Sequence, residues 1–112
     1  MKTFASMLAV TMVLGVMSSH AFAAGDADKG KVLFNDPTAF GGKRACSACH
    51  PNGSGLEYAA GKKKFHIAGG VQESLEEAVN TCIVNASMGK AVDIKSEQMK
   101  DIVAYITSLR KK

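Results

Sequence analysis

The sequence predicts a small all-α domain, and three observations support this fold class. Three segments each begin at a residue type that commonly caps a helix, namely Asp26, Ser74 and Ser96. Apolar residues then recur in each segment at helical spacing. The residues between the segments are rich in glycine and show no sustained alternation of apolar and polar side chains, the pattern typical of a strand.

The first helix is predicted over residues 26–34, with Asp26 as its N-cap. Gly30 and Phe34 are four residues apart, so they share one face of this helix. Because a glycine in the middle of a helix lowers its stability, Gly30 predicts a close approach by another helix. Pro37 ends the segment, since the residue before a proline is biased away from helical backbone angles.

Two further helices are predicted in the second half of the chain. Ser74 and Glu77 form a capping box, which predicts a helix from Ser74 to about Ala86. Ser96 caps the last helix. One face of each helix is apolar: Leu75, Val79, Cys82 and Ile83 in the first, and Met99, Ile102, Val103, Ile106 and Leu109 in the last.

The beginning of the chain has the composition of a secretory leader. Lys2 gives it a positive start, residues 4–17 carry no charge, and an A-x-A cleavage signature ends at Ala23. The uncharged stretch is shorter than the ~20 residues that a membrane-spanning helix needs. We therefore expect a signal peptide over residues 1–23, cleaved on export to the bacterial periplasm. A single domain over residues 24–112 would remain, without membrane insertion.

The central motif is C-x-x-C-H, formed by Cys46, Cys49 and His50. This spacing is the attachment signature of a c-type haem. Two thiols so placed can add across the two vinyl groups of one porphyrin, and the histidine lies where its imidazole can bind the iron. We therefore expect one covalent haem c, with thioethers to Cys46 and Cys49 and with His50 as the proximal iron ligand. Export agrees with this expectation, because haem is attached outside the bacterial inner membrane.

Other chemistries use a C-x-x-C pair, but the sequence favours haem. A zinc site needs a second pair of ligands and a thioredoxin-like motif needs a βαβ pattern, and the sequence shows neither. A domain of this size cannot bury a large core unaided, whereas a covalent haem would fill its middle. We therefore expect stability to depend on the haem, as it depends on the metal in small metallodomains.

Residues along nearly the whole expected domain resemble class I cytochrome c. Gly30 and Phe34 in the first helix, the C-x-x-C-H motif and residues 101–106 (DIVAYI) in the last helix carry the resemblance. It implies a small cytochrome c fold in which the N- and C-terminal helices cross at the glycine around the haem. It also implies a one-electron carrier between redox partners, not an enzyme, with a methionine before the last helix as the distal iron ligand.

Met88 is the expected distal ligand. It lies between the two helices predicted in the second half, and its spacing before Tyr105 is similar to that of the axial methionine in class I cytochromes. Met99 falls on the packed face of the last helix, so we expect it to fill the core. His66, in a loop, would give bis-histidine ligation, and an open iron site is a further alternative.

Cys82 is the main alternative as distal ligand. The last third of the chain contains NTC at 80–82, SMGK at 87–90, SEQM at 96–99 and AYI at 104–106. With these segments it also resembles a haem domain of sulfur-oxidising cytochromes, the thiosulfate dehydrogenases and their relatives. In those proteins a cysteine near this point binds iron and handles the sulfur substrate. They tend to carry an arginine one helical turn earlier, where this chain has Ala78, and they generally use a second haem. The alternative function is a haem enzyme or subunit acting on sulfur compounds; otherwise Cys82 is a buried apolar residue.

The charge of the chain favours redox proteins over nucleic acid as partners. The net charge is +4 and falls by one when Lys2 is removed with the leader. That excess is too small for a nucleic-acid-binding stripe. Lys43, Arg44 and residues 62–64 flank the haem motif. Around an exposed haem edge they would steer an acidic redox protein into a transient complex; otherwise they form a solvated loop. We expect the protein to be a monomer.

Overall fold

The structure, a computed structural model, describes residues 25–111, so the expected leader over residues 1–23 lies outside it. Within this range the fold is predominantly helical with one small sheet. The helices are α1 (Ala27–Asn35), α2 (Leu75–Asn85) and α3 (Glu97–Ser108), and the strands are β1 (Phe65–Ile67) and β2 (Gly70–Gln72). Short 3-10 turns cover Cys46–Ala48, Pro51–Gly53 and Ala59–Gly61.

Each helix begins after the cap residue that the sequence predicts. The Asp26 carboxylate accepts hydrogen bonds from two N–H groups in the first turn of α1. Ser74 Oγ accepts the Glu77 N–H at 3.1 Å, and Ser96 Oγ accepts the Met99 N–H at 3.2 Å. These bonds satisfy backbone donors that have no partner within the helix. The three predicted helices are therefore confirmed, with ends within a residue or two of the expected ones.

Helices α1 and α3 cross at Gly30, as the mid-helix glycine predicts. Gly30 is buried, and a Cβ atom at this position would overlap the Asp101 carbonyl and lie 2.9 Å from Tyr105 Cβ. The Asp101 carboxylate also accepts the Asp26 N–H at 2.8 Å. Beside the crossing, the rings of Phe34 and Tyr105 meet edge to face with centroids 5.1 Å apart. The crossing therefore holds the two ends of the described chain together.

The sheet corrects the all-α prediction. Strands β1 and β2 form an antiparallel hairpin in which Phe65 pairs with Gln72 and Ile67 pairs with Gly70. Ala68 and Gly69 make the turn, with φ values of 53° and 78°. Both positive angles suit a two-residue hairpin turn. Three residues per strand are too few for alternation to stand out in the sequence, and an alanine is not a usual signal for this turn.

The core lies between α1, α2 and α3. Phe34, Ile83, Met99 and Ile102 are its most completely buried large side chains. Met99 is 1% exposed, which confirms its predicted place in the core. None of the helices within residues 25–111 has the length and apolar character needed to cross a bilayer.

Candidate cofactor site

The C-x-x-C-H residues lie together on one tight turn. The N–H groups of Cys49 and His50 both donate to the Cys46 carbonyl, at 3.2 and 3.0 Å. Cys46 and His50 are half-buried, whereas Cys49 is exposed. The 3-10 turn and the two residues after it therefore carry two thiols and an imidazole on five consecutive residues.

The imidazole of His50 is oriented by a backbone carbonyl. Its Nδ1 lies 2.9 Å from the Ser54 carbonyl oxygen. A carbonyl can only accept, so Nδ1 carries the proton, and in the neutral ring Nε2 keeps its lone pair. Such a hydrogen bond is the usual outer-shell support of a histidine that binds a metal. Gly55, with φ of 89°, passes close to the same ring.

His50 lines a mainly apolar cavity that is partly open to solvent. The space inside it and at its mouth amounts to about 500 Å³. Its chemically active side chains are His50, Cys46 and Cys82. The remaining wall is apolar and comes from all three helices, the hairpin and the loop after the motif: Phe34, Leu56, Ala59, Phe65, Ile67, Leu75, Ala78, Val79, Ile102 and Ile106.

Cys82 lies in the wall of this cavity, near the thiols of the motif. Burial is the main cause that raises the pKa of the Cys82 thiol, and the neighbouring Cys49 raises it further. Burial likewise raises the pKa of Cys46, with a further contribution from Cys82. Both thiols are therefore neutral at neutral pH, as an apolar wall requires. All three cysteines are free thiols.

A smaller cavity also borders the motif and shares Cys46, His50 and Cys82 with the first. Its empty volume is about 330 Å³, and its lining includes Arg44, Cys46, Cys49, His50 and Cys82. Arg44 is exposed, so its guanidinium stands at the surface next to this opening. The expected basic residue before the motif is thus beside the thiols, while the position one turn before Cys82 is the buried, uncharged Ala78.

Met88 lies close in the chain but outside both cavities. Its side chain is 50% exposed, and its φ of 59° places the backbone in the left-handed region. The turn that carries Met88 is held by two hydrogen bonds to the segment before the motif. The Lys43 N–H donates to the Ser87 carbonyl and the Lys90 N–H to the Phe40 carbonyl, both at 2.9 Å. The structure thus brings Cys82, and not Met88, together with His50.

His66 faces away from the cavity. It is the exposed middle residue of β1, and its partner across the hairpin is Val71, which is also exposed. Side chains alternate along a strand, so Phe65 and Ile67 point the other way and line the cavity. Bis-histidine ligation through His66 would need the hairpin to turn over.

The donor set fits a c-type haem. Two cysteines stand at the attachment spacing, the histidine is fixed with Nε2 as its free nitrogen, and the cavity beside them is apolar enough for a porphyrin. Among residues 25–111 no group of three or more His, Cys, Asp or Glu side chains is arranged to hold a metal ion.

The sequence gives little signal for the hydrogen bonds of two polar side chains, of which one fixes the cavity-lining Ile67. Gln72 makes two hydrogen bonds to the backbone of Ile67, and Asn80 makes two to the backbone of Val92. Each side chain bonds to backbone that only the completed fold brings near it, so no local motif predicts these bonds.

No protein-family model matches the chain, nor does any curated protein or solved structure.

Proposed function

We propose that the protein is a monohaem c-type cytochrome of the periplasm, with a cytochrome c fold, that carries single electrons between redox proteins. When bound, the haem supplies an iron that cycles between Fe(II) and Fe(III). Cys46 and Cys49 hold it through thioethers, and His50 is its proximal ligand. The protein changes no substrate in this role; it sets the reduction potential and limits access of water.

One observation carries this proposal: His50, fixed through Nδ1 by the Ser54 carbonyl, lines an apolar cavity beside Cys46. The hydrogen bond leaves this cavity-lining histidine with a lone pair on Nε2, which a ligand to iron requires. The hydrogen bond makes the ring a better electron donor and fixes its orientation. The apolar wall excludes water, which supports a stable potential.

The distal ligand that the geometry favours is Cys82, because its side chain lines the cavity with His50. Its thiol would lose a proton on binding iron, since a coordinating thiol is deprotonated despite its raised pKa. Met88 stays a prediction from the sequence, and it would reach the cavity only if the turn around Ser87 rearranged. A thiolate lowers the reduction potential, whereas a thioether raises it.

A second function, sulfur-compound chemistry at Cys82, has one observation in its favour. Cys82 borders both cavities, and Arg44 stands beside the smaller one. A guanidinium can bind an oxyanion through paired hydrogen bonds. The main cavity, however, places the apolar Ala78 at the position where the sulfur-oxidising relatives tend to have arginine. An anionic substrate would gain no charge partner there, so electron transfer is the better-supported function.

The partners we propose are acidic redox proteins that dock transiently. Lys43, Arg44 and residues 62–64 are exposed, and residues 62–64 lead directly into Phe65 in the cavity wall. Positive charge beside an electron-transfer edge accelerates encounter with an acidic partner.

The experiment that tests the function is a comparison of ferric and ferrous absorption spectra. The exported wild-type protein is compared with Cys82→Ser and Met88→Ala. We expect a six-coordinate, low-spin haem whose ferric spectrum changes in Cys82→Ser and is kept in Met88→Ala. A weak charge-transfer band at the red end of the visible range, lost in Met88→Ala, would instead assign Met88. A high-spin ferric haem that binds carbon monoxide readily when reduced would contradict the carrier function. Turnover of thiosulfate, lost in Cys82→Ser, would establish the enzyme.

A further inference from the structure

The β1–β2 hairpin forms one wall of the cavity. Phe65 and Ile67 line the cavity, while His66 between them is exposed. The basic run at residues 62–64 precedes the hairpin and is exposed throughout. The hairpin therefore separates the interior of the cavity from solvent, and a basic run leads into its first strand.

The hairpin has little stability of its own. Each strand has three residues, and an isolated two-stranded hairpin is marginal in water. Ala68 in its turn has φ of 53°, a left-handed angle that costs a residue with a Cβ roughly 1–2 kcal/mol. Val71, on the outer face, is 56% exposed and adds little burial. Another interaction must hold the hairpin closed.

Gln72 supplies that interaction. Its side chain is 8% exposed. Its Oε1 accepts the Ile67 N–H at 3.1 Å, and its Nε2 donates to the Ile67 carbonyl, also at 3.1 Å. Both bonds go to one residue, and that residue lines the cavity. One side-chain amide thus fixes both the N–H and the carbonyl of Ile67.

We propose that Gln72 is a positioning residue that keeps the hairpin closed over the bound cofactor. The inference rests on the proposed function, since it takes the cavity to hold the haem. Without the two Gln72–Ile67 hydrogen bonds, here called the clamp, the hairpin would open more often and admit water. Water stabilises the more positively charged ferric state, so the reduction potential would fall. Opening would also give small molecules a route to the iron.

The test uses the haem-loaded protein and the variant Gln72→Met, which keeps the length of the side chain and removes both hydrogen bonds. The matched control is Gln98→Met, because Gln98 is an exposed glutamine on α3. Three quantities are measured: amide hydrogen exchange of Ile67, the reduction potential, and the rate at which imidazole, a neutral ligand, binds the ferric iron.

For Gln72→Met we expect at least tenfold faster exchange at Ile67, a lower potential and at least tenfold faster imidazole binding. Gln98→Met should match the wild type in all three. If Gln72→Met does not accumulate, Gln72→Glu keeps the acceptor for the Ile67 N–H and loses the donor. It should show faster exchange and faster imidazole binding than the wild type.

Two results would overturn the inference while leaving the proposed function intact. One is unchanged Ile67 exchange in the haem-loaded variants. The other is faster exchange with an unchanged potential and imidazole rate, which would reduce Gln72 to a residue that stabilises the hairpin alone. A wild-type protein that carries no covalent haem would overturn the proposed function itself, and haem content is therefore measured first.

Discussion

At the scale of single residues, the Ser54 carbonyl decides which nitrogen of His50 can act as a ligand. Because Nδ1 donates to that carbonyl at 2.9 Å, the free nitrogen is Nε2. The bond uses the backbone of Ser54, so the Ser54 side chain contributes nothing to it. The orientation of the histidine is thus built into the turn that follows the motif, where Gly53 and Gly55 supply two positive φ angles.

Met88 offers a test of the distal ligand that is separate from spectroscopy. Its φ of 59° favours glycine. If Met88 only closes the turn after α2, Met88→Gly should raise the free energy of unfolding by about 1 kcal/mol. Met88→Ala keeps the Cβ and should gain nothing. Urea denaturation of the haem-loaded variants measures both. If Met88→Gly instead lost both stability and the low-spin spectrum, Met88 would be shown to bind the iron.

At the scale of elements, the crossing of α1 and α3 is the most sensitive contact of the fold. A Cβ at Gly30 would overlap the Asp101 carbonyl, and the backbone of a packed helix cannot give way cheaply. We expect Gly30→Ala to lower the free energy of unfolding by roughly 2–3 kcal/mol, as measured by urea denaturation. Gly61→Ala is the control, because its Cβ would lie 3.7 Å from the Arg110 guanidinium. An equal effect of both substitutions would contradict the crossing.

The segment between α2 and α3 is held by Asn80. Its Nδ2 donates to the Val92 carbonyl at 2.7 Å, and its Oδ1 accepts the Val92 N–H at 2.9 Å. Removing both bonds in Asn80→Ala should cost about 1–3 kcal/mol of stability. Asn85→Ala serves as the control, since the Asn85 side chain is exposed and bonds only to a carbonyl of its own helix. Thermal unfolding should give a lower melting temperature for Asn80→Ala than for Asn85→Ala. Similar melting temperatures would show that the Asn80–Val92 bonds do not hold this segment.

The helices were predictable because their signals are local. Each cap residue lies within one or two turns of the apolar face that follows it, so Ser74 and Ser96 predict the starts of their helices directly. Helical phase likewise puts Cys82 on the face of α2 that lines the cavity. Helical phase does not predict that Cys82 lines the cavity while Met88 lies outside it. That outcome depends on how the turn at Ser87 packs against the segment before the motif.

The hairpin and its clamp were not predictable in the same way. Phe65, His66 and Ile67 alternate for only three residues, and a run of three matches a strand or a loop equally well. The bonds from Gln72 to Ile67 join positions five residues apart through a turn whose left-handed residue is an alanine. Such hydrogen bonds from a side chain to non-neighbouring backbone depend on the completed fold, and no sequence pattern predicts them.

At the scale of the whole molecule, charge surrounds the opening of the site unevenly. Lys63 and Lys64 adjoin the hairpin, whereas Lys29 and Lys31 are exposed on α1. We expect Lys63→Gln with Lys64→Gln to slow reduction of ferricyanide, an anionic oxidant, and to weaken its dependence on salt. The same double change at Lys29 and Lys31 removes equal charge and should have the smaller effect. Stopped-flow kinetics at several ionic strengths provide the comparison, and equal effects would show that only net charge matters.

The packing of the whole domain converges on one apolar cavity that three helices, the hairpin and the motif share. A haem bound there would supply much of the core of a domain of this size. We therefore expect Cys46 and Cys49 to bind one haem covalently.

The most direct measurement is the intact mass and haem stain, after denaturing electrophoresis, of the protein exported from cells that attach haem to cytochromes. We expect the mass of one haem added to the mature chain and a stained band. Cys46→Ala with Cys49→Ala should lose both and leave an unstable chain. A wild-type protein exported as a stable fold with its thiols free and no added mass would contradict the claim.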